Sequence, residues 1–194
     1  MKLAIAFVTR CQNNSETNDQ KWAGNDGGFV YGPSDDRTGE SFAGATTDAS
    51  GTRRLRSMGT MSYAGLKSLV YAGLTKDDAR VRQAFAWIGN NFSLEENVGM
   101  AAAKPELAKQ GLYYGWLVMA KSLHAFGQPA LTSSEGKAVD WRLALIEQAT
   151  KEQKPDGSWV GINKVMEDNP VLVTSYVVLA LQEAKADLEA HPAK

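Results

Sequence analysis

Apolar positions along the chain fall into two alternating kinds of segment. Leu3, Phe7, Val8 and Cys11 share one face at helical spacing, so residues 2–12 read as a short amphipathic helix. From Ser57 to Leu74 the string SMGTMSYAGLKSLVYAGL is mostly apolar and small, with Lys67 as its only charge, the pattern of a helix buried nearly all round. Residues 77–92 are one-sided again. Val81, Ala84, Phe85, Ile88 and Phe92 form a stripe opposite Arg80, Arg82 and Gln83, and Asp77 and Asp78 stand where a helix dipole favours negative charge. Residues 111–127, GLYYGWLVMAKSLHAFG, are apolar on most sides, with Gly127 as the stop. Asp140 caps a helix from Trp141 to about Lys151 that is charged on one side. The last apolar segment, 170–184, is rich in valine. Its length, its Asn169-Pro170 start and its polar QEAK end favour a buried helix over a strand.

This alternation predicts an all-α fold of about three hairpins, each pairing an outer helix that keeps a polar face with an inner helix that loses it. Stacked units of that kind make a solenoid or a closed ring. One repeat domain over 1–185 is expected, followed by a flexible tail over 186–194. The loops are long. Residues 13–56 are polar and rich in Gly, Asp, Ser and Thr, a length unusual inside a compact domain unless the loop is functional or covered. Gln153 closes a polar helix, Lys154-Pro155-Asp156-Gly157 is a turn, and Trp159 follows. Cys11-Gln12 and the later Asp26-Gly27-Gly28-Phe29 are a degraded copy of that unit.

Composition narrows the partners. With 194 residues and 43% apolar content the chain can bury one sizeable core. A formal charge of −1 leaves no electrostatic footprint for nucleic acid or for an anionic membrane surface. The single cysteine, Cys11, excludes an internal disulfide and a thiolate-rich metal site, and it fixes no compartment. Only His124 and His191 are available for a histidine-based site, so no metal and no cofactor are expected. The opening MKLAIAFVTRCQN is interrupted too soon to span a bilayer and has no small-residue cleavage site. Met1 is either a natural start or a cut into a longer ring.

QKPDGSW resembles the repeat of squalene and terpenoid cyclases built on Gln followed by Gly-x-Trp, and NDGGF resembles the Gly-Gly-Phe version in protein prenyltransferase β subunits. In combination, SMGTMSYAGLKSLVYAGL, GLYYGWLVMAKSLHAFG, DWR and DGSWVG…NPVLVTSYVVLAL are similar to the prenyltransferase/squalene-oxidase repeat proteins of bacteria across most of residues 1–184. That resemblance implies an α/α toroid of concentric outer and inner helices, of which this chain supplies about half. The chemistries of the superfamily do not carry over. The Asp-x-Asp-Asp acid motif is absent, Asp35-Asp36 and Asp77-Asp78 are bare pairs in other contexts, magnesium-diphosphate motifs are missing, and Cys11 and His124 do not match a zinc site.

Candidate site residues each have two readings. Asp26 and Asp156 are acids at a cavity mouth or, as turn chemistry accounts for both, formers of Asp-Gly turns. Trp159 and Phe29, which follow those turns, read as clamps between outer and inner helices. Tyr63, Tyr113, Tyr114, Trp116 and Tyr176 lie near the first turns of inner helices, where they fill the core or line a central cavity for an apolar or cationic ligand. Arg53, Arg54 and Arg56 precede the helix at Ser57 and are either an anion site or a solvated cluster. The expected function is binding of an apolar, isoprenoid-like molecule without turnover, with self-association as a route to a complete ring. The alternatives are an isoprenoid- or glycan-processing enzyme using carboxylates among Asp26, Asp156, Glu167 and Asp168, or a structural or protein-interaction solenoid.

Overall fold

The structure, a computed structural model, describes residues 1–33 and 41–193; the Asp35-Asp36 pair lies outside the described residues. It is mostly helical, with seven α-helices and two small hairpin sheets among the described residues. The helices are α1 (Lys2–Arg10), α2 (Gly59–Tyr71), α3 (Ala79–Asn90), α4 (Met100–Ala103), α5 (Leu112–Phe126), α6 (Trp141–Glu152) and α7 (Pro170–Ala190). Packing follows the apolar pattern. The helix α5 sits between α2 and α7 and buries Leu112, Trp116, Met119 and Leu123, while α3 and α1 pack on α2 and α6 packs on α7. Val173, Val177, Ala180 and Ala184, spaced three or four apart, form the buried stripe of α7.

The strong helix starts are set locally. Asp78 accepts from the Arg80 N–H at 3.0 Å, Asp140 from the Arg142 N–H at 3.0 Å, and Asn169 from the Val171 N–H at 3.0 Å. The two aspartate caps also grip the arginine two residues on. Arg80 Nη2 lies 2.7 Å from Asp78 Oδ2, and Arg142 Nη2 lies 2.6 Å from Asp140 Oδ2. The same Asp-x-Arg device thus opens α3 and α6. Gly127 ends α5 at φ 65°, in the left-handed region that glycine adopts without strain.

The two Gln–Asp-Gly units share a geometry as well. Gln12 Nε2 donates to the Gly27 carbonyl at 2.9 Å, and Gln153 Nε2 donates to the Gly157 carbonyl at 3.0 Å; both glycines have φ 86°. The aromatic that follows each turn ties elements together. Trp159 Nε1 donates to the Ala149 carbonyl on α6 at 2.8 Å, and its backbone N–H reaches Thr174 Oγ1 on α7 at 3.2 Å. Phe29 lays its ring on Gly65 of α2, where a Cβ would stand 2.5 Å from the ring, so only glycine admits it.

Several expectations need correction. The loop 13–56 contains an antiparallel hairpin, β1 (Ala45–Thr47) with β2 (Arg53–Leu55), and a second hairpin, β3 (Ala130–Thr132) with β4 (Ala138–Asp140), precedes α6. Three-residue strands are too short to show an alternation in sequence. Segment 93–110 holds α4 and a short 3-10 turn at Pro105–Leu107. The helices α2 and α7 are not buried all round: Tyr71 is 67% exposed and Val171 76%, because each end of the helix row lacks a further neighbour. Finally α7 continues through the expected tail to Ala190, and its Asp187 is fully buried against Arg142 of α6.

Candidate functional site

The N-terminus of α5 borders an open, largely apolar concavity. Gly111, the residue before α5, has no side chain to cap it, and the first-turn N–H groups are satisfied from 55 residues downstream. Glu167 accepts from the Leu112 N–H at 3.0 Å through Oε2 and from the Tyr114 N–H at 2.9 Å through Oε1, and is itself wholly buried. Burial pushes its carboxyl upward, against the lowering effect of the α5 N–H groups that it accepts. The loop carrying it folds back on itself, with the Gly161 N–H donating to the Glu167 carbonyl at 2.6 Å. That fold places Val165 and Met166 in the left-handed region, at φ 49° and 65°, a conformation that disfavours branched and bulky residues and costs on the order of 1–3 kcal/mol at each.

Beside this cap lies a cleft of about 310 Å³. Its walls are Met58 and Met61 from the α2 region, Met100 from α4, Tyr114 from α5 and Tyr176 from α7, with Tyr31, Phe42 and Val165 at the rim. Tyr114 and Tyr176 meet edge to face at 5.7 Å, and Tyr31 and Phe42 lie tilted to each other at 4.5 Å. Thr60, Asn97 and Gln110 are its polar members, and no charged side chain lines it among the described residues. Tyr31, Phe42 and Tyr114 each leave roughly half of their surface to solvent.

The candidate residues from sequence do not come together in one place. Tyr114 and Tyr176 line this cleft. Tyr63, Tyr113 and Trp116 are core residues instead, all under a tenth exposed. Trp116 Nε1 donates to the Leu94 carbonyl at 3.2 Å, and burial, with Glu152 and Glu167 adding to it, pushes the Tyr113 hydroxyl up to about 12. Tyr63 and Trp116 border only a cavity of about 20 Å³, room for one water.

Arg56 lies in a second cleft, of about 340 Å³ and more polar, together with Asp26 and Arg54. Arg54 is held there by Asp48 at 2.8 Å and by the Lys21 and Ala23 carbonyls, and Arg53 sits exposed on β2. The Asp26 carboxyl accepts from Ser57 Oγ at 2.7 Å and from the Gly28 N–H at 2.9 Å, and packing around it pushes it above the usual aspartate range. Asp156 is an exposed turn former. Ser158 donates to it from both backbone and hydroxyl, which holds its carboxyl low. Glu167 is committed to α5 and Asp168 is exposed, so the four carboxylates considered for glycan chemistry form no pair among the described residues.

Cys11 is a buried thiol pushed up to about 11 by its burial, with Sγ donating to the Phe7 carbonyl at 3.4 Å. His124 pairs with Glu183 at 2.6 Å across α5 and α7. No group of three or more potential metal ligands occurs among the described residues, and no described helix is long and apolar enough to cross a membrane. Sequence reasoning missed Tyr31, Phe42, Met58, Met61, Met100 and Val165. It also missed the role of Glu167, for which one signal existed: a helix opening on Gly111-Leu112, with no capping side chain, needs a distant acceptor. Comparison with protein-family models, curated proteins and solved structures finds no match to this chain.

Proposed function

We propose that this chain binds an apolar, isoprenoid-like small molecule in the cleft between α2, α5 and α7. The observation that carries the reading is the lining itself: four aromatics and three methionines surround about 310 Å³, with no charge among the described residues. Methionine adapts its shape to a flexible tail, and aromatic faces suit branched or unsaturated carbon chains. The scaffold, on this reading, is about half of an α/α toroid of the prenyltransferase/squalene-oxidase repeat type, with α2, α5 and α7 as its inner helices. The uncharged cleft favours binding over the acid- or metal-driven chemistry of the cyclases. In the test, the neutral dye N-phenyl-1-naphthylamine brightens on binding wild type. Tyr114→Ala weakens it roughly tenfold, a loss of ~1.4 kcal/mol of apolar contact, without a change in melting temperature beyond a few degrees. Equal binding by wild type and Tyr114→Ala rejects the cleft.

A second reading rests on the two ends of the helix row. Val171, Val178 and Leu179 on α7 and Leu3 and Phe7 on α1 are all exposed. Unpartnered apolar faces at both ends fit completion of the ring by a second copy of the chain. Sedimentation velocity then shows a dimer that Val178→Glu dissociates; a monodisperse wild-type monomer at micromolar concentration rules this out.

A further inference from the structure

The polar cleft on the other side of the Met58–Gly59 segment is independent of the apolar one. Its charged members are unusually placed. Arg10, Arg54, Arg80 and Arg142 each pair with a carboxylate. Arg56 does not: its guanidinium makes one hydrogen bond, from Nη1 to the Ala102 carbonyl at 3.3 Å, and its other donors have no protein partner among the described residues. Asp26 is the complementary case. Its carboxyl takes hydrogen bonds from Ser57 Oγ and the Gly28 N–H, both neutral, and no cation pairs with it among the described residues. Both side chains line the same cleft of about 340 Å³ without forming an ion pair with each other. The carboxyl is oriented by a rigid chain: Asn13 Nδ2 donates to Ser57 Oγ at 2.8 Å and to the Leu55 carbonyl at 2.9 Å, and Asn13 Oδ1 accepts from the Gly24 N–H. A carboxylate so held and a guanidinium with free donors, facing one volume without neutralising each other, are complementary to a molecule that carries both charges.

We propose that this cleft is a binding site for a small zwitterion, a free α-amino acid, whose carboxylate is taken by Arg56 and whose ammonium is taken by Asp26. The volume fits a molecule of that size at the lower end of ligand pockets. Asn91 and Thr46, which line the same cleft, offer polar contacts to the ligand side chain.

The test is isothermal titration of wild type with each of the common L-amino acids and, for the tightest, with its amide and its N-acetyl derivative. At least one amino acid is expected to bind, the amide and the N-acetyl form each at least tenfold more weakly, since each lacks one charge. Arg56→Gln is expected to lower affinity for the amino acid at least tenfold while leaving the already weak amide unchanged. The Arg56 side chain touches the fold through one long hydrogen bond to Ala102 of α4, at 3.3 Å, so a melting temperature within a few degrees of wild type accompanies this loss. Asp26→Asn keeps acceptor capacity toward Gly28 and Ser57 and removes the charge, and is expected to abolish discrimination against the N-acetyl form. Absence of binding by every amino acid overturns the proposal, as does a sugar phosphate or inorganic phosphate that binds more tightly than any of them. Binding that survives both substitutions places the amino acid elsewhere and overturns it too. None of these outcomes alters dye binding in the apolar cleft.

Discussion

Arg142→Ala is expected to cost about 3–5 kcal/mol of stability, the largest effect of any single substitution considered, because it strands a carboxylate inside the protein. Arg142 is 2% exposed and Asp187 fully buried. The guanidinium reaches Asp187 Oδ1 at 2.9 Å and the His191 carbonyl at 2.5 Å through Nη1, while Nε and Nη2 hold Asp140 at 2.9 and 2.6 Å. Asp187 Oδ2 has no hydrogen-bond partner among the described residues even in the intact protein, and His191 Nδ1 stands 3.7 Å from Oδ1. Truncation at Arg142 therefore leaves Asp187 with no cation at hydrogen-bond distance among the described residues. Urea unfolding measures the loss, and an unfolding free energy within about 1 kcal/mol of wild type would falsify the account. Arg142→Met combined with Asp187→Leu is expected to cost clearly less than the sum of the single changes, since the two side chains interact directly. Helix α7 also carries Tyr176, so Arg142→Ala weakens dye binding in the apolar cleft as it loosens that wall.

This ion pair also shows where a sequence reading stops. The starts of α3, α6 and α7 were legible because Asp78, Asp140 and Asn169 act on N–H groups two residues ahead, a relation written in adjacent letters. The far end of α7 was not. QEAKADLEA is polar and reads as a fraying tail, and only the contact with a residue 45 positions away makes Asp187 a core group. The aromatic assignments divide for a related reason. Tyr113 and Tyr114 are neighbours in sequence, yet one step along a helix turns a side chain by about 100°, which sends the first into the core and the second into the cleft. A run of aromatics on a helix identifies its apolar character without telling which member faces a ligand. The rest of the cleft comes from segments far apart, Tyr31, Phe42, Met100 and Val165, whose meeting is a property of tertiary packing alone. The two Gln–Asp-Gly turns, by contrast, were visible as related strings and proved to share their hydrogen bonds and backbone angles.

Glu167→Ala is expected to cost about 3 kcal/mol, and to impair the apolar cleft in the same step. Its carboxylate caps α5, whose N-cap residue Gly111 has no side chain to do so. Removing it takes the acceptor from the Tyr114 N–H and leaves the Leu112 N–H to the Lys109 carbonyl at 3.2 Å, and charge-assisted hydrogen bonds of this kind contribute about 1.5–3 kcal/mol each. Glu167→Gln, which keeps one carbonyl acceptor, is expected to fall between wild type and Glu167→Ala. Acid titration separates the charge from the cap. Burial raises the folded-state pKa of Glu167 above its ordinary 4.5, so the folded protein holds this proton at pH values where the unfolded chain has lost it. The contribution of that proton to stability is fully present below pH 4.5 and is lost as pH rises through the raised folded-state value. The amide of Glu167→Gln cannot titrate, and the stability gap between wild type and this variant should therefore widen on acidification through that window; a constant gap in urea melts across it rejects the assignment. Functionally, the cap fixes both the first turn of α5, which presents Tyr114, and the strained loop at Val165 and Met166, which forms one rim of the cleft. If the left-handed backbone at Val165 is held by the Glu167 contacts, Glu167→Ala releases it and dye affinity falls together with stability. Val165→Gly, in contrast, relieves strain of about 1 kcal/mol while removing an apolar rim contact, so it weakens the dye without destabilising the fold. Opposite responses of stability to these two substitutions, with the same direction in binding, are what a strained loop pinned over a ligand cleft requires.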